Sequence, residues 1–297
     1  MTGLTSPAAQ ALRVEPAAAP LGARIHGVDL SVPLDDDTLA RIEAALHRYG
    51  VVVFPEQRLT DAQQKRFSLR FGESLDIHSL RKFARPEHPE VFVLSNILVD
   101  GEPIGAADAA QYWHTDLSYM QRPSRVSILY ALEVPRDASG PVGDTEFVST
   151  VQAYEDLPGS VKAQLQGKRA MHLAGKPKKS QTSHFTKPLP TDIEDKLTGG
   201  VTHPVVRTHP FTGKKCLYVN EGFTVRIEDM PGEQSDSLLA TLFDHMIRPE
   251  RIYTHKWTVG DVVMWDNCAT VHQGVPNYGP KQRRLMHRTI VTGSVPF

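Results

Sequence analysis

Extended segments dominate this chain beyond its first third, and they leave little room for an architecture built mainly of helices. Val91 to Leu94, Arg125 to Leu132, Thr202 to Thr208, Lys215 to Val219, Ile252 to Trp257, Asp261 to Trp265 and Arg283 to Thr292 all read as strands, with Pro, Gly and Asn between them. Two helical stretches interrupt them, roughly Val151 to Gln166 and Asp236 to Ile247; the second carries Leu238, Leu239, Leu242, Phe243 and Met246 at helical spacing. Earlier, Leu39, Ile42, Leu46 and Tyr49 mark an amphipathic helix from Asp36 to Tyr49, stopped by Gly50. Val51 to Phe54 follows as a buried strand, and Thr60 with Gln63 opens a second helix by capping-box chemistry, packing through Phe67 and Phe71. Many strands with few helices predict a mainly β fold with flanking helices, a sandwich or jelly roll.

The 297 residues suffice for such a fold as one unit, here taken as 16–297, after an N-terminal tail over 1–15 rich in Ala and Pro and expected to be mobile. No repeat or domain linker is evident. The polar, Pro-containing stretch 176–200, with Lys176, Lys178, Lys179 and Lys187, stands out as a candidate lid. A formal net charge of -1 argues against a general nucleic-acid binder. Cys216 and Cys268 are too few for a disulfide framework or a Cys-rich zinc site and read as apolar core residues. No apolar run is long enough to span a membrane, and no basic region followed by an apolar one opens the chain, so a cytoplasmic protein is expected.

Against this background one short motif carries chemistry. In Trp113-His114-Thr115-Asp116 the His and the Asp are two apart, and in extended backbone such residues share a face. An imidazole and a carboxylate can therefore converge on one ion, with Trp113 and Leu117 on the other side. A third ligand must come from elsewhere. His272, in Thr270-Val271-His272-Gln273-Gly274, is the choice; His255 competes, but the Lys256 charge beside it disfavours a cation. Two His and one carboxylate on one side of an ion leave the other side open, as in non-haem Fe(II) oxygenases, whereas structural zinc closes all four positions. A zinc hydrolase using the same three groups, or a non-catalytic β-barrel binding module, remains an alternative at this point.

The terminal segment adds two cations. If Arg283 to Thr292 is a strand, Arg284, Met286 and Arg288 share one face, and Arg283, Leu285 and His287 the other. At about 3.3 Å rise per residue the two inward arginines stand about 13 Å apart, too far for one small carboxylate but suited to two different anions. A buried Arg needs a paired anion, and a bidentate carboxylate is the natural partner.

Together these stretches resemble the taurine dioxygenase and chlorophenoxyacetate dioxygenase family of Fe(II)/2-oxoglutarate-dependent oxygenases. The likeness is carried by Trp113-His114-Thr115-Asp116, Gly143-Asp144-Thr145, Leu217 to Phe223, Gln282 to Arg288 and the opening Gly22 to Leu30, in the family's order. The resemblance implies a double-stranded β-helix (a jelly roll, cupin-like), with Fe(II) on His114, Asp116 and His272 and with 2-oxoglutarate and O2 as co-substrates. It implies that Arg284 and the Thr145 hydroxyl hold the distal carboxylate of 2-oxoglutarate. It further implies that Arg288 and His78 bind the acidic group of the prime substrate, with Phe223 and Leu117 beside it. Family members are often dimers or tetramers, so a homo-oligomer is expected. Taurine-type members carry an Asn four residues before the first ligand His; here Ala110 stands there. The anion contacts are kept and the amine contact is lost. The expected substrate is therefore another small organic anion: a sulfonate, an alkyl sulfate, or an aryloxy or alkyl carboxylate. Hydroxylation would release succinate and CO2, and a product hydroxylated beside O or S would break down to an aldehyde or keto acid plus a leaving group.

Overall fold

Two facing sheets organise the chain. The computed structural model describes residues 11–77, 81–107, 111–174 and 200–297. The larger sheet orders its strands Arg13–Pro16, Ala23–His26, Val51–Phe54, Val262–Asp266, Ser124–Glu133, Leu285–Thr292 and Phe92–Ser95. Ala23–His26 and Val51–Phe54 run parallel; the other neighbours are antiparallel. The smaller sheet sets Thr145–Ser149 between Tyr253–His255 and Thr270–Gly274. This is the mainly β jelly roll expected from the sequence.

Side-chain alternation shows how the layers assemble. Val51, Val53, Leu129, Ala131, Val263, Trp265 and Met286 point between the sheets, where they meet Phe147 and Trp257. Val52, Phe54, Ile128, Tyr130, Val262 and Met264 point the other way, onto the helices Asp36–Tyr49 and Asp61–Ser68. Val51–Phe54 is thus covered on both faces, which is why it reads as an unbroken apolar run. A third cluster fills the back of the smaller sheet, where Val148, Val271 and Trp113 pack with the helices Thr150–Glu155, Gly159–Leu165 and Gly232–Met246.

Local signals are honoured where they are strong. The first helix spans Asp36–Tyr49, with the Asp35 side chain accepting the Thr38 N–H at 2.7 Å and Gly50 in positive φ closing it. Thr60 and Gln63 form a reciprocal capping box. The helix expected over 151–166 is broken in two by Pro158, and Thr202–Thr208 is split into Val201–Pro204 and Val206–Thr208. Residues 13–15, assigned above to the tail, belong to a strand, Arg13–Pro16, that pairs with Ala23–His26. Apart from Gly200, the candidate lid lies outside the described residues. Among the described residues, no helix is long and apolar enough to cross a membrane.

Candidate active site

Strand register brings the two histidines together. His114 and His272 stand opposite each other in an antiparallel bridge and exchange both backbone hydrogen bonds. The His114 N–H donates to the His272 carbonyl at 3.0 Å, and the His272 N–H to the His114 carbonyl at 2.8 Å. Opposed residues project to one face, and the ring centroids are 4.1 Å apart. Asp116 faces both rings. Its Oδ1 is 3.5 Å from His114 Nε2 and its Oδ2 is 3.8 Å from His272 Nε2. One potential ligand atom from each residue lies within 4.8 Å of the others, and all three side chains are buried. His255 is not part of this group; it pairs with Thr145 in the smaller sheet, with its Nε2 3.2 Å from Asp261 Oδ2.

Protonation makes the set suitable for a cation. His114 Nδ1 is 2.9 Å from the Tyr112 carbonyl, which can only accept. Nδ1 therefore carries the proton, and Nε2 presents its lone pair. Burial first, then the neighbouring His114 and Arg288, keep His272 neutral far below its ordinary pKa, against the pull of Asp116. Burial pushes the Asp116 carboxyl up, but Arg288, His272 and His114 outweigh it and hold the group well below the usual carboxylate range. Two imidazoles, each with a ring nitrogen turned to the centre, and one ionised carboxylate match the ligand chemistry of a divalent iron.

A polar clamp, not anticipated from the sequence, holds the carboxylate. Ser127 Oγ donates to Asp116 Oδ2 at 2.6 Å, and the Asp116 N–H donates to Asn267 Oδ1 at 3.2 Å. Asn267 Nδ2 donates to Ser124 and Ser127, each at 2.9 Å, while Trp265 Nε1 donates to Asn267 Oδ1 at 3.2 Å. The available signal was a Ser at an interior position of an apolar strand, between Val126 and Ile128. Beyond the clamp the chain turns sharply. Leu117 takes φ 56°, a left-handed conformation that L side chains rarely adopt, and its carbonyl accepts the Met120 N–H at 2.8 Å.

An aromatic wall adjoins the histidines. The Phe223 ring lies 5.9 Å from both His114 and Tyr112 and 4.8 Å from Tyr119. Gly222 lets this loop approach: its N–H donates to the Trp113 carbonyl at 3.0 Å, and a Cβ there would sit 2.9 Å from that of His114.

The terminal strand spans Leu285–Thr292 with a register shift between Leu285 and Met286, and the expected alternation holds from Met286 onward. Met286 packs between the sheets, whereas His287 bonds outward to Asp61 at 2.8 Å and Arg283 meets Glu133 at 2.8 and 2.9 Å. Arg288 is buried on the inner face; its Nη1 is 3.4 Å from Asp116 Oδ1 and its guanidinium is 5.5 Å from the Phe92 ring centroid. Arg284 lies just before the strand. Its N–H donates to Asn96 Oδ1 at 2.9 Å, and its carbonyl accepts from Ser95 Oγ at 2.8 Å. Its Nε is sealed from solvent without a hydrogen-bond partner among the described residues, and burial pushes its pKa below that of an ordinary arginine. Thr145 Oγ accepts from Trp257 Nε1 at 3.0 Å, so its own O–H remains able to donate. No recorded hydrogen bond joins Thr145 to Arg284. His78 and Ala110 lie outside the described residues.

A second group, His47, His209 and Asp266, also gathers potential ligand atoms within 4.8 Å. There His209 Nδ1 accepts the backbone N–H of Phe211 at 3.2 Å and of Thr212 at 3.1 Å, so Nε2 carries the proton and donates to Asp266 Oδ2 at 2.8 Å.

Comparison with known proteins agrees with this geometry. Residues 13–290 match the family model described as taurine catabolism dioxygenase TauD, TfdA family. An alpha-ketoglutarate-dependent sulfate ester dioxygenase of Pseudomonas putida is 34% identical, covering 98% of this chain and 93% of the relative. An alpha-ketoglutarate-dependent 2,4-dichlorophenoxyacetate dioxygenase of Burkholderia sp. (strain RASC) is also 34% identical, covering 91% of each. The crystal structure of a taurine dioxygenase from Burkholderia xenovorans superposes with a TM-score of 0.78 at 34% identity, over 96% of this chain and 90% of that one.

Proposed function

Since this chain belongs to the TauD, TfdA family and is an alpha-ketoglutarate-dependent dioxygenase working with Fe(II), 2-oxoglutarate and O2, we propose that it hydroxylates a carbon of a small organic monoanion. The substrate class is a sulfonate, an alkyl sulfate, or an aryloxy or alkyl carboxylate. The reading is carried by one observation: the opposed pair of histidines facing Asp116, with an arginine 3.4 Å from that carboxylate.

In this reading His114, Asp116 and His272 hold the iron, which with 2-oxoglutarate and O2 supplies the oxidising chemistry, releasing succinate and CO2 and placing one oxygen atom in a C–H bond. The protein's part is positioning. Ser127 and Asn267 fix the carboxylate ligand. Arg284, whose buried Nε has no partner among the described residues, and the Thr145 hydroxyl take the distal carboxylate of 2-oxoglutarate. Arg288 takes the anionic group of the prime substrate. Phe223, Tyr112, Tyr119 and Leu117 wall its organic part and exclude water, and His78 completes the anion site. Where the hydroxylated carbon bears O or S, the product splits into an aldehyde or keto acid and a leaving group.

The test is anaerobic reconstitution with Fe(II) and 2-oxoglutarate, then admission of O2 with a panel of sulfonates, sulfate esters and aryloxy acids, reading substrate-stimulated succinate. Arg288→Ala is expected to raise the KM of the stimulating anion about tenfold or more while that of 2-oxoglutarate changes little. Equal loss of both overturns the division of labour between the arginines.

A further inference from the structure

Two arginines four residues apart, Arg288 within the terminal strand and Arg284 just before it, pose a sorting problem. 2-Oxoglutarate is a dianion, and its distal carboxylate would suit either guanidinium. The two surroundings differ. Arg284 has no acidic partner among the described residues, whereas Arg288 stands 3.4 Å from Asp116. A second acid reaches Arg288 from the neighbouring segment. The Asp76 N–H donates to the Ile290 carbonyl at 2.8 Å, and Leu75 stands opposite Val291. Leu75 and Val291 both turn to the outer core beneath the helices. By alternation Asp76 turns inward, onto the face of Arg288 and Ile290. Diagonal neighbours in such a pair are about 7–8 Å apart at the backbone, within reach of a long arginine. Burial raises the Asp76 carboxyl's pKa while the Arg288 charge pulls it down and Asp116 adds to the rise, and all three act on Tyr119, which packs on Phe223. No recorded hydrogen bond or ion pair to a described side chain satisfies the half-buried Asp76 carboxyl, and nothing in the reaction described above uses it.

We propose that Asp76 sets the charge of the Arg288 subsite so that it admits monoanions and rejects dianions, and thereby directs 2-oxoglutarate to Arg284. This rests on the reading that Arg288 receives the anion of the prime substrate. With the Asp116 charge taken up by the metal, Arg288 and Asp76 nearly cancel. One negative charge can still pair with the guanidinium, but a second negative charge meets the Asp76 carboxylate at short range. Removing the acid leaves an unbalanced cation beside the metal, open to a second molecule of 2-oxoglutarate.

The experiment needs no knowledge of the prime substrate. The full chain, loaded with Mn(II) under O2-free conditions, is titrated calorimetrically with 2-oxoglutarate at about pH 8, where a carboxyl is ionised. The parent protein and Asp76→Glu are expected to bind one equivalent. Asp76→Asn is expected to bind a second, at least ~10-fold tighter than any second binding by the parent, and Asp76→Asn with Arg288→Gln is expected to lose it. Asp76→Ser repeats the test should the Asn variant fold poorly. A single equivalent in folded Asp76→Asn and Asp76→Ser overturns the proposal, as does a second equivalent that survives Arg288→Gln. Arg284→Gln separates the underlying reading: if the first equivalent persists unchanged, the assignment of the co-substrate arginine fails whatever Asp76 does.

Discussion

Among the described residues, two groups of two histidines and one aspartate gather potential ligand atoms, and only one of these two is built to hold a metal. In the first, His114 gives its Nδ1 proton to a carbonyl and turns a lone pair toward Asp116 and His272. In the second, His209 accepts two backbone N–H groups at Nδ1 and must spend its only proton on Asp266. A metal at that Nε2 would require an imidazolate. The Asp266 carboxylate is also engaged, its Oδ1 accepting the Cys268 N–H at 2.8 Å, and His47 stacks on Phe211, with ring centroids 5.3 Å apart, beneath the cation of Arg125. The second group is a latch that ties the turn after Val262–Asp266 to the loop at 209–212. Composition and spacing do not distinguish the two; the partner of the other ring nitrogen does.

The largest expected effect breaks the first group. Asp116→Ala removes the only anionic ligand, and substrate-stimulated succinate formation should fall by more than ~1000-fold with little loss of folded protein. Near-normal turnover would end the ligand assignment. Asp266→Ala should do the reverse. It strips His209 and the Cys268 N–H of a buried acceptor at a cost of about 3 kcal/mol, a drop in Tm of roughly 5–10 °C, while one metal ion still binds. If metal binding vanished and Tm stayed put, the latch would have to be reassigned as a ligand set.

Legibility followed the range of the interaction. His114 and Asp116 could be paired from sequence because two positions of extended backbone decide their common face. The alternation of His287 and Arg288 was legible for the same reason, and His287 on Asp61 and Arg288 on Asp116 bear it out, whereas Arg284 falls before the strand and its register shift. The strand Thr270–Gly274 was not seen, since His272, Gln273 and Gly274 lack the apolar alternation of a half-buried strand. Its register against His114 is purely tertiary, so His272 rested on order and family likeness. The Ser127 and Asn267 clamp stayed hidden because one member comes from the strand Ser124–Glu133 and the other from the turn after Val262–Asp266, and they meet only when the sheet forms. The latch left no local pattern at all: His47 sits in the last turn of a helix and His209 beside a proline, 57 residues from Asp266.

The connection between the two groups can be probed next. Asn267 follows Asp266 in the chain and supports Asp116, so the latch holds the clamp. Ser127→Ala removes the 2.6 Å hydrogen bond to Asp116 Oδ2 and should weaken Mn(II) binding about tenfold. Asn267→Ala frees both the Asp116 N–H and Ser127 and should weaken it somewhat more, within ~100-fold. Unchanged affinity in both variants would reduce the clamp to packing.

The smallest effect concerns acidity, and it separates the groups by where their stability is lost. A group whose folded pKa lies below its unfolded value adds stability that is complete above the unfolded pKa and fades as pH falls toward the folded one. Burial, with His114 and Arg288, puts His272 in that class, starting from an ordinary value of 6.5. Asp266 belongs there too, starting from 3.8, because its bond to His209 and the neighbouring charges outweigh its burial. In the metal-free protein the His272 contribution should therefore fade below about pH 6.5, joined there by His47 of the latch, whose pKa burial also lowers, while the Asp266 contribution should fade only below about pH 4. Denaturant unfolding from pH 8 to 3 would resolve the two windows. His272→Gln should lessen the first fall in stability, to which His203, held near 4 by burial, and His47, His245 and His287, also lowered by burial, contribute as well. Asp266→Asn should lessen only the second. A first window unaltered by His272→Gln would mean that this imidazole is not kept neutral by its site, and the contrast between the two groups would then rest on hydrogen bonding alone.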